Sequence, residues 1–219
     1  MTSRNDLNEV RQYCWSLYLK YKEKAYSYYS QIPDDENFFE RGRDELGIQS
    51  SCLMHRGFYC PSPVIEHIIV NIKRGKIAKK LGNVKKPTNF YEFDTDGRLR
   101  IVDTNYPNGN IGTEYLFYEE DVVLGIQFSN GDLYQLSIEQ YDGKRLKSYL
   151  LINCLYHAKD NEFLEMDYEC YDYSTPDCLN VLRYHFTGSY PQFDRCREYS
   201  FPWDEDKGAV LLSPEPSPF

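Results

Sequence analysis

The chain has 219 residues, 41% of them hydrophobic, with 25 Lys and Arg against 34 Asp and Glu for a formal net charge of −9. That is enough apolar material for one compact core; no apolar run is long enough for a membrane span, and the charge argues against nucleic acid as a partner. The charge is unevenly divided, with 15 Lys and Arg against 10 Asp and Glu before Asn89 (a balance of +5) and 10 against 24 from Asn89 onward (a balance of −14).

No Lys or Arg occurs between Ile101 and Gly143, where Asp103, Glu114, Glu119, Glu120, Asp121, Asp132, Glu139 and Asp142 are all acidic. Such a field repels nucleic acid and attracts a basic partner. The 21 Tyr and 12 Phe suit half-buried sheet faces and binding surfaces alike, because Tyr joins a large apolar ring to a polar tip. Seven cysteines (14, 52, 60, 154, 170, 178 and 196) make an odd number without framework spacing, and residues 1–9 contain no apolar run. Together these predict reduced thiols in a cytoplasmic protein without a secretory signal.

In chain order, Leu7, Val10, Cys14, Leu17, Tyr21, Ala25 and Tyr28 recur at three and four residues and predict an amphipathic helix from about Leu7 to Gln31. Asp6 and Glu9 have capping-box spacing, and Pro33 closes the segment. Asp34-Asp-Glu36 opens a short second helix through Phe38, Phe39 and Leu46, stopped by Gly47. A third begins at Ser62-Pro63, buries Ile65, Ile68, Ile69 and Ile72, and stops at Gly75. The cations around that stop (73, 74, 76, 79, 80, 85 and 86) lack interleaved aromatics and read as a solvated helix end or a counterpart to the acidic sheet.

From Asn89 the pattern changes to short alternating runs separated by Asp94-Thr-Asp-Gly97, Ser129-Asn-Gly131 and Tyr141-Asp-Gly143, turns that predict antiparallel pairing. Strands are expected at 90–93, 99–102, 122–128, 133–138 and 146–152, and the alternation continues at 162–171, 179–186 and 193–201. In the 162–171 run one face reads Phe163, Glu165, Asp167, Glu169 and Tyr171, an acidic face expected to be wet or bound to a partner. The expected fold class is α+β: N-terminal helices (1–88) packed on a large antiparallel β-meander (89–203), an open twisted sheet or partial barrel, with a Pro-rich acidic tail (204–219), all in one compact domain.

Phe90-Tyr-Glu-Phe-Asp-Thr-Asp-Gly-Arg-Leu99 resembles one unit of the YD repeats of Rhs-type bacterial shells and toxin carriers, in which an aromatic-Asp pair precedes a Gly-Arg-Leu turn and strand. Tyr141-Asp-Gly-Lys-Arg-Leu146 resembles a second unit and residues 117–124 a third, with no long array. The chain as a whole resembles, in type, a stand-alone immunity protein of a bacterial polymorphic or contact-dependent toxin system. That resemblance implies a small cytoplasmic protein, built from meandering sheets with flanking helices, that blocks a cognate toxin domain, often a basic nuclease. It carries over no functional residue.

Cys52-Leu-Met-His55, with Cys60 and His67, has zinc-ligand residue types, but the second pair straddles a predicted helix start and His67 sits beside Ile68 and Ile69. A hydrolase dyad from Cys60 or Cys154 with His67, His157 or His185 has nothing in the sequence to activate the thiol. There is no Walker-type loop, dinucleotide Gly-rich loop or Gly-x-Ser-x-Gly, and no cofactor is expected. The leading expectation is an inhibitor whose acidic, Tyr-rich sheet surface (Asp103, Tyr115, Tyr118, Glu119, Glu120, Asp121, Asp132, Tyr134, Glu139, Asp142) occludes a basic toxin site. Its rivals are a hydrolytic enzyme on a β scaffold and a YD-like structural or adaptor protein.

Overall fold

The computed structural model describes residues 4–32, 48–55, 61–62, 64, 76–77, 89–105, 111–129, 131–155, 163–188, 194–204 and 208–209. The chain opens with one long helix, α1 (Arg4–Tyr29), and continues as strands β1 (Ile48–His55), β2 (Lys76–Ile77), β3 (Asn89–Asp94), β4 (Leu99–Asn105), β5 (Ile111–Tyr118) and β6 (Val122–Ser129). It is completed by β7 (Asp132–Asp142), β8 (Arg145–Leu155), β9 (Phe163–Asp172), β10 (Cys178–Thr187), β11 (Arg195–Asp204) and β12 (Gly208–Ala209). They form one sheet in the order β12-β11-β10-β9-β8-β7-β6-β5-β4-β3-β1-β2, and every pairing is antiparallel. From β3 to β11 each strand lies beside the next in the chain, so the expected meander is present as an open sheet.

The turns follow from their sequences. Between β3 and β4 the Asp94 carboxylate accepts from the backbone N–H of Asp96 and of Arg98, holding the bend. Gly143, at φ 59°, takes a left-handed position in the β7–β8 hairpin that a side chain would strain. β5, which lies outside the strand runs expected from the sequence, continues the series between β4 and β6.

Of the predicted helix stripe, Cys14, Leu17, Tyr21 and Ala25 are buried against the sheet and Leu7, Val10 and Tyr28 are partly buried there; Tyr18, outside that stripe, is buried with them. Helix α1 begins at Arg4, so Asp6 lies in the first turn rather than at the cap, where its charge still favours the dipole. The last turn tightens through Gln31 N–H to Tyr28 O and Ile32 N–H to Tyr29 O. Arg11 donates to Asp194, just before β11, and Tyr28 stacks on Phe117 of β5 with ring centroids 4.3 Å apart. From residue 11 to residue 28 a helix rises about 25 Å, and the six spacings from β5 to β11 add to about 29 Å, a difference within the reach of the Arg11 side chain. The helix therefore lies across the strands and clamps them together.

On the helix side, Ile101, Tyr115, Phe117, Leu124, Ile126, Leu136, Ile138, Leu150, Ile152, Met166, Tyr168, Tyr184 and Phe186 complete the main core. The alternate residues point the other way into two smaller clusters, one around Tyr91, Val102, Leu116 and Val123, the other around Val64, Tyr149, Tyr171, Leu179, Val181 and Phe201.

Three expectations change. Residues 48–55 and 76–77, placed in the helical part, are strands that lengthen the sheet, β1 pairing with β3 through Cys52↔Tyr91. α1 is the single helix of regular length among the described residues; the second helix and most of the third lie outside them, with Ser62 and Val64 described and fully buried. Gly208–Ala209, read as tail, pairs with Trp203 and Asp204. No helix among the described residues is long and apolar enough to cross a membrane.

Candidate functional site

In a meander, alternate turns fall at the same end of the sheet. The β3–β4, β5–β6 and β7–β8 turns are therefore neighbours, while the β6–β7 turn at Gly131 lies at the far end. At the shared end an open cleft of about 240 Å³ is lined by Tyr118, Glu119, Glu120, Asp121, Val122, Val123, Glu139, Tyr141 and Gly143. The β5–β6 turn supplies its acidic rim. Glu119 N–H donates to Val122 O, and Tyr141 N–H donates to Asp121 O, which ties that turn to the next hairpin.

Each rim and wall group has a distinct state. Glu120 and Asp121 are exposed. Glu119 accepts from Lys24 Nζ at 2.8 Å and from the Tyr28 hydroxyl at 3.0 Å, both on the helix. The Lys24 hydrogen bond holds its carboxyl below the ordinary carboxylate range, so Glu119 stays ionised. The Tyr118 hydroxyl donates to Leu99 O, and burial pushes its pKa up to about 12. The guanidiniums of Arg98 and Arg100, on the adjacent β3–β4 turn and β4, both lie 5.8 Å from the Tyr118 ring centroid, a cation–π arrangement. At the floor, Glu139 is 1% exposed and accepts from the Tyr141 hydroxyl. With both hydroxyls engaged, the two rings are fixed as cleft walls.

Behind the floor sits a second buried carboxyl. Glu114 accepts from Ser137 Oγ at 3.2 Å across Gly125, where a Cβ would collide with both Glu114 Oε1 and Ser137 Oγ. Burial, reinforced by the Glu139 charge and partly offset by the Ser137 hydrogen bond, pushes Glu114 up to about 8. Glu114 is thus protonated at neutral pH.

The other charged cluster spans β9 to β11. Register sets Glu169 opposite Arg183 and Asp167 opposite His185. Arg183 Nη2 lies 2.6 Å from Asp167 Oδ1, and its Nη1 is 3.7 Å from Glu169 Oε1, too far for a hydrogen bond. His185 Nδ1 is 2.8 Å from Asp167 and Nε2 is 3.5 Å from Glu165. Burial raises Asp167, but the hydrogen bond from His185 and the Arg183 guanidinium more than reverse this and hold it below the carboxylate range. For Glu169 burial prevails over hydrogen bonds from Ser62 and Tyr171, and its pKa is raised. The acidic face of the 162–171 run is therefore not wet at its centre: Glu169 is buried, with Arg183 of β10 opposite it in the register.

Of the residues expected at a binding surface, the cleft gathers Tyr118, Glu119, Glu120, Asp121 and Glu139, and Asp142 is exposed beside Gly143. Tyr115 is 4% exposed in the core beneath the helix, so it is unavailable as a surface anchor. Asp103 is buried and accepts from the Thr113 hydroxyl. Asp132 and Tyr134 belong to the other end of β7; the seven residue steps from Asp132 to Glu139 span about 24 Å. Sequence reasoning missed Tyr141 as a wall, Lys24 and Tyr28 as partners of Glu119, and Glu114 as a buried acid. The signal for Tyr141 was present, since its turn falls at the same end as Glu119–Asp121.

For the zinc alternative, Cys52 and His55 fall on β1 while Cys60 and His67 lie outside the described residues; no metal-holding group of three or more Cys, His, Asp or Glu occurs among the described residues. In the dyad alternative, Cys154 packs on the helix-side core and burial raises its pKa, whereas His185 faces the opposite side between Asp167 and Glu165. Cys60, His67 and His157 lie outside the described residues. Cys14, Cys154, Cys170, Cys178 and Cys196 are free thiols. Compared with known proteins, the chain matches no family model, no curated protein and no solved structure.

Proposed function

We propose that this protein is an inhibitor of the immunity type, which binds a basic toxin domain and occludes it with the acidic cleft between the β5–β6 turn and the β7–β8 hairpin. The observation that carries the reading is the cleft lining, which joins Glu119, Glu120, Asp121 and Glu139 to two fixed tyrosine rings. Exposed carboxylates at Glu120 and Asp121 steer a cationic surface and speed encounter. In the complex the rim carboxylates stand where substrate phosphates would meet the partner's Lys and Arg, while Tyr118 and Tyr141 supply desolvated aromatic anchors. Pre-organisation of the rings reduces the entropy lost on binding.

The test is a charge reversal, Glu119→Lys with Glu120→Lys and Asp121→Lys, titrated against the cognate basic domain at low salt. Loss of affinity on the order of 100-fold is expected, mostly through slower association, with a flattened salt dependence. Unchanged binding by the folded variant would remove the cleft from the interface.

A further inference from the structure

The second charged cluster continues across β10 to β11 and, among the described residues, ends there on two arginines. Across β9, β10 and β11 the register sets Glu169, Arg183 and Arg197 in one row and Asp167, His185 and Arg195 in the next. The β9 carboxylates are met by Arg183 and His185. Arg195 and Arg197 then follow on the same face, exposed, with no carboxylate partner among the described residues. Arg197 directly opposes Arg183, a like-charge cross-strand pair that is unfavourable unless an acid lies beyond it.

Among the described residues the backbone of β11 is unpaired on its outer side at the same place. β12 pairs only with Trp203 and Asp204, so no described strand lies outside the Arg195–Pro202 stretch of β11. Pro202 fits this position, since proline within a sheet is confined to edges and bulges. Such an edge presents a row of N–H and C=O groups that templates strand addition.

We propose that the β11 edge accepts an extended peptide segment of a partner by strand addition, and that the segment carries acidic residues at alternate positions opposite Arg195 and Arg197. A second copy of the chain is a poorer occupant. A two-fold pairing centred on Arg197 or Glu198 would set like charges against each other. The proposal stands apart from the acidic cleft, which takes positive charge and lies at the end of the sheet rather than along its side.

The probe is a fluorescent peptide of alternating Thr and Val with Glu at two alternate positions, compared with the same peptide bearing Lys in place of Glu. Both are titrated into the full chain and into the variant Arg195→Glu with Arg197→Glu. The acidic peptide is expected to bind the parent about ten-fold more tightly than the lysine peptide, and the preference to reverse in the variant. On binding, backbone amides of residues 195–201 should gain protection from hydrogen exchange. Equal affinity for the two peptides, a preference that survives the double reversal, or no binding by the parent would overturn the proposal. So would self-association of the parent that the double reversal abolishes, which would assign the edge to a second copy.

Discussion

Replacing Arg183 by Met is expected to cost about 3–5 kcal/mol of folding stability, the range for removing one partner from a buried ion pair. The Arg183 side chain is 8% exposed, and its guanidinium sits 2.6 Å from Asp167 and 3.7 Å from Glu169, whose side chain is fully buried. Without it, among the described residues Glu169 keeps the hydrogen bonds from Ser62 and Tyr171, and Asp167 the contact with His185. Neither set replaces a guanidinium set between two buried carboxylates. Neutralising both acids in the same chain, with Asp167→Asn and Glu169→Gln, should recover most of the loss, because the amides keep the shape and need no counter-charge. Urea unfolding of parent, single and triple variants measures this; a loss under about 1 kcal/mol for Arg183→Met would mean that the network contributes little.

Glu114→Gln should stabilise the protein, and only above mildly acidic pH. A carboxyl raised from 4.5 to about 8 in the folded state holds a proton there that the unfolded chain has released. Below pH 4.5 both states are protonated and Glu114 costs nothing. As pH rises from 4.5 to about 8 the folded state binds more protons than the unfolded one, so stability falls across that window and levels off beyond it. The amide removes the slope and keeps an acceptor for Ser137. Variant and parent should unfold alike near pH 4, and at pH 9 the variant should be more stable by on the order of 2–4 kcal/mol. Parallel stability profiles would show that Glu114 is already ionised in the fold.

The sheet was legible because its signals are local. Asp-Gly and Asn-Gly turns separate runs rich in aromatic and β-branched residues, and the β3–β4, β6–β7 and β7–β8 hairpins follow from them even though each carries a bulge that interrupts the period of two. The Cys14–Leu17–Tyr21–Ala25 stripe was legible for the same reason. β1 was not: Gln49, Ser50 and Ser51 interrupt any apolar alternation, and its strand character comes from pairing with β3, some forty residues on. The acidic run Glu165, Asp167, Glu169 was visible, but its neutralisation was not. Arg183 and His185 meet those acids only through the β9–β10 register.

The cleft divides in the same way. Glu119, Glu120 and Asp121 announce themselves as an acidic turn. Tyr115, equally aromatic and two residues from Phe117, belongs to the core because alternation turns both toward the helix. Which Tyr side chains were surface anchors therefore depended on facing, set by the position of the helix. Glu139 looked like a surface acid in a chain segment without cations, yet it is buried, held by the Tyr141 hydroxyl two residues along the same strand.

The most direct test of the inhibitor reading is co-expression with the product of the adjacent gene, following growth and then isolating any complex by pull-down. The neighbour alone should arrest growth, the pair should grow normally, and a stoichiometric complex should be recovered that the Glu119, Glu120 and Asp121 reversal breaks. A neighbour that is harmless alone and forms no complex would contradict the account.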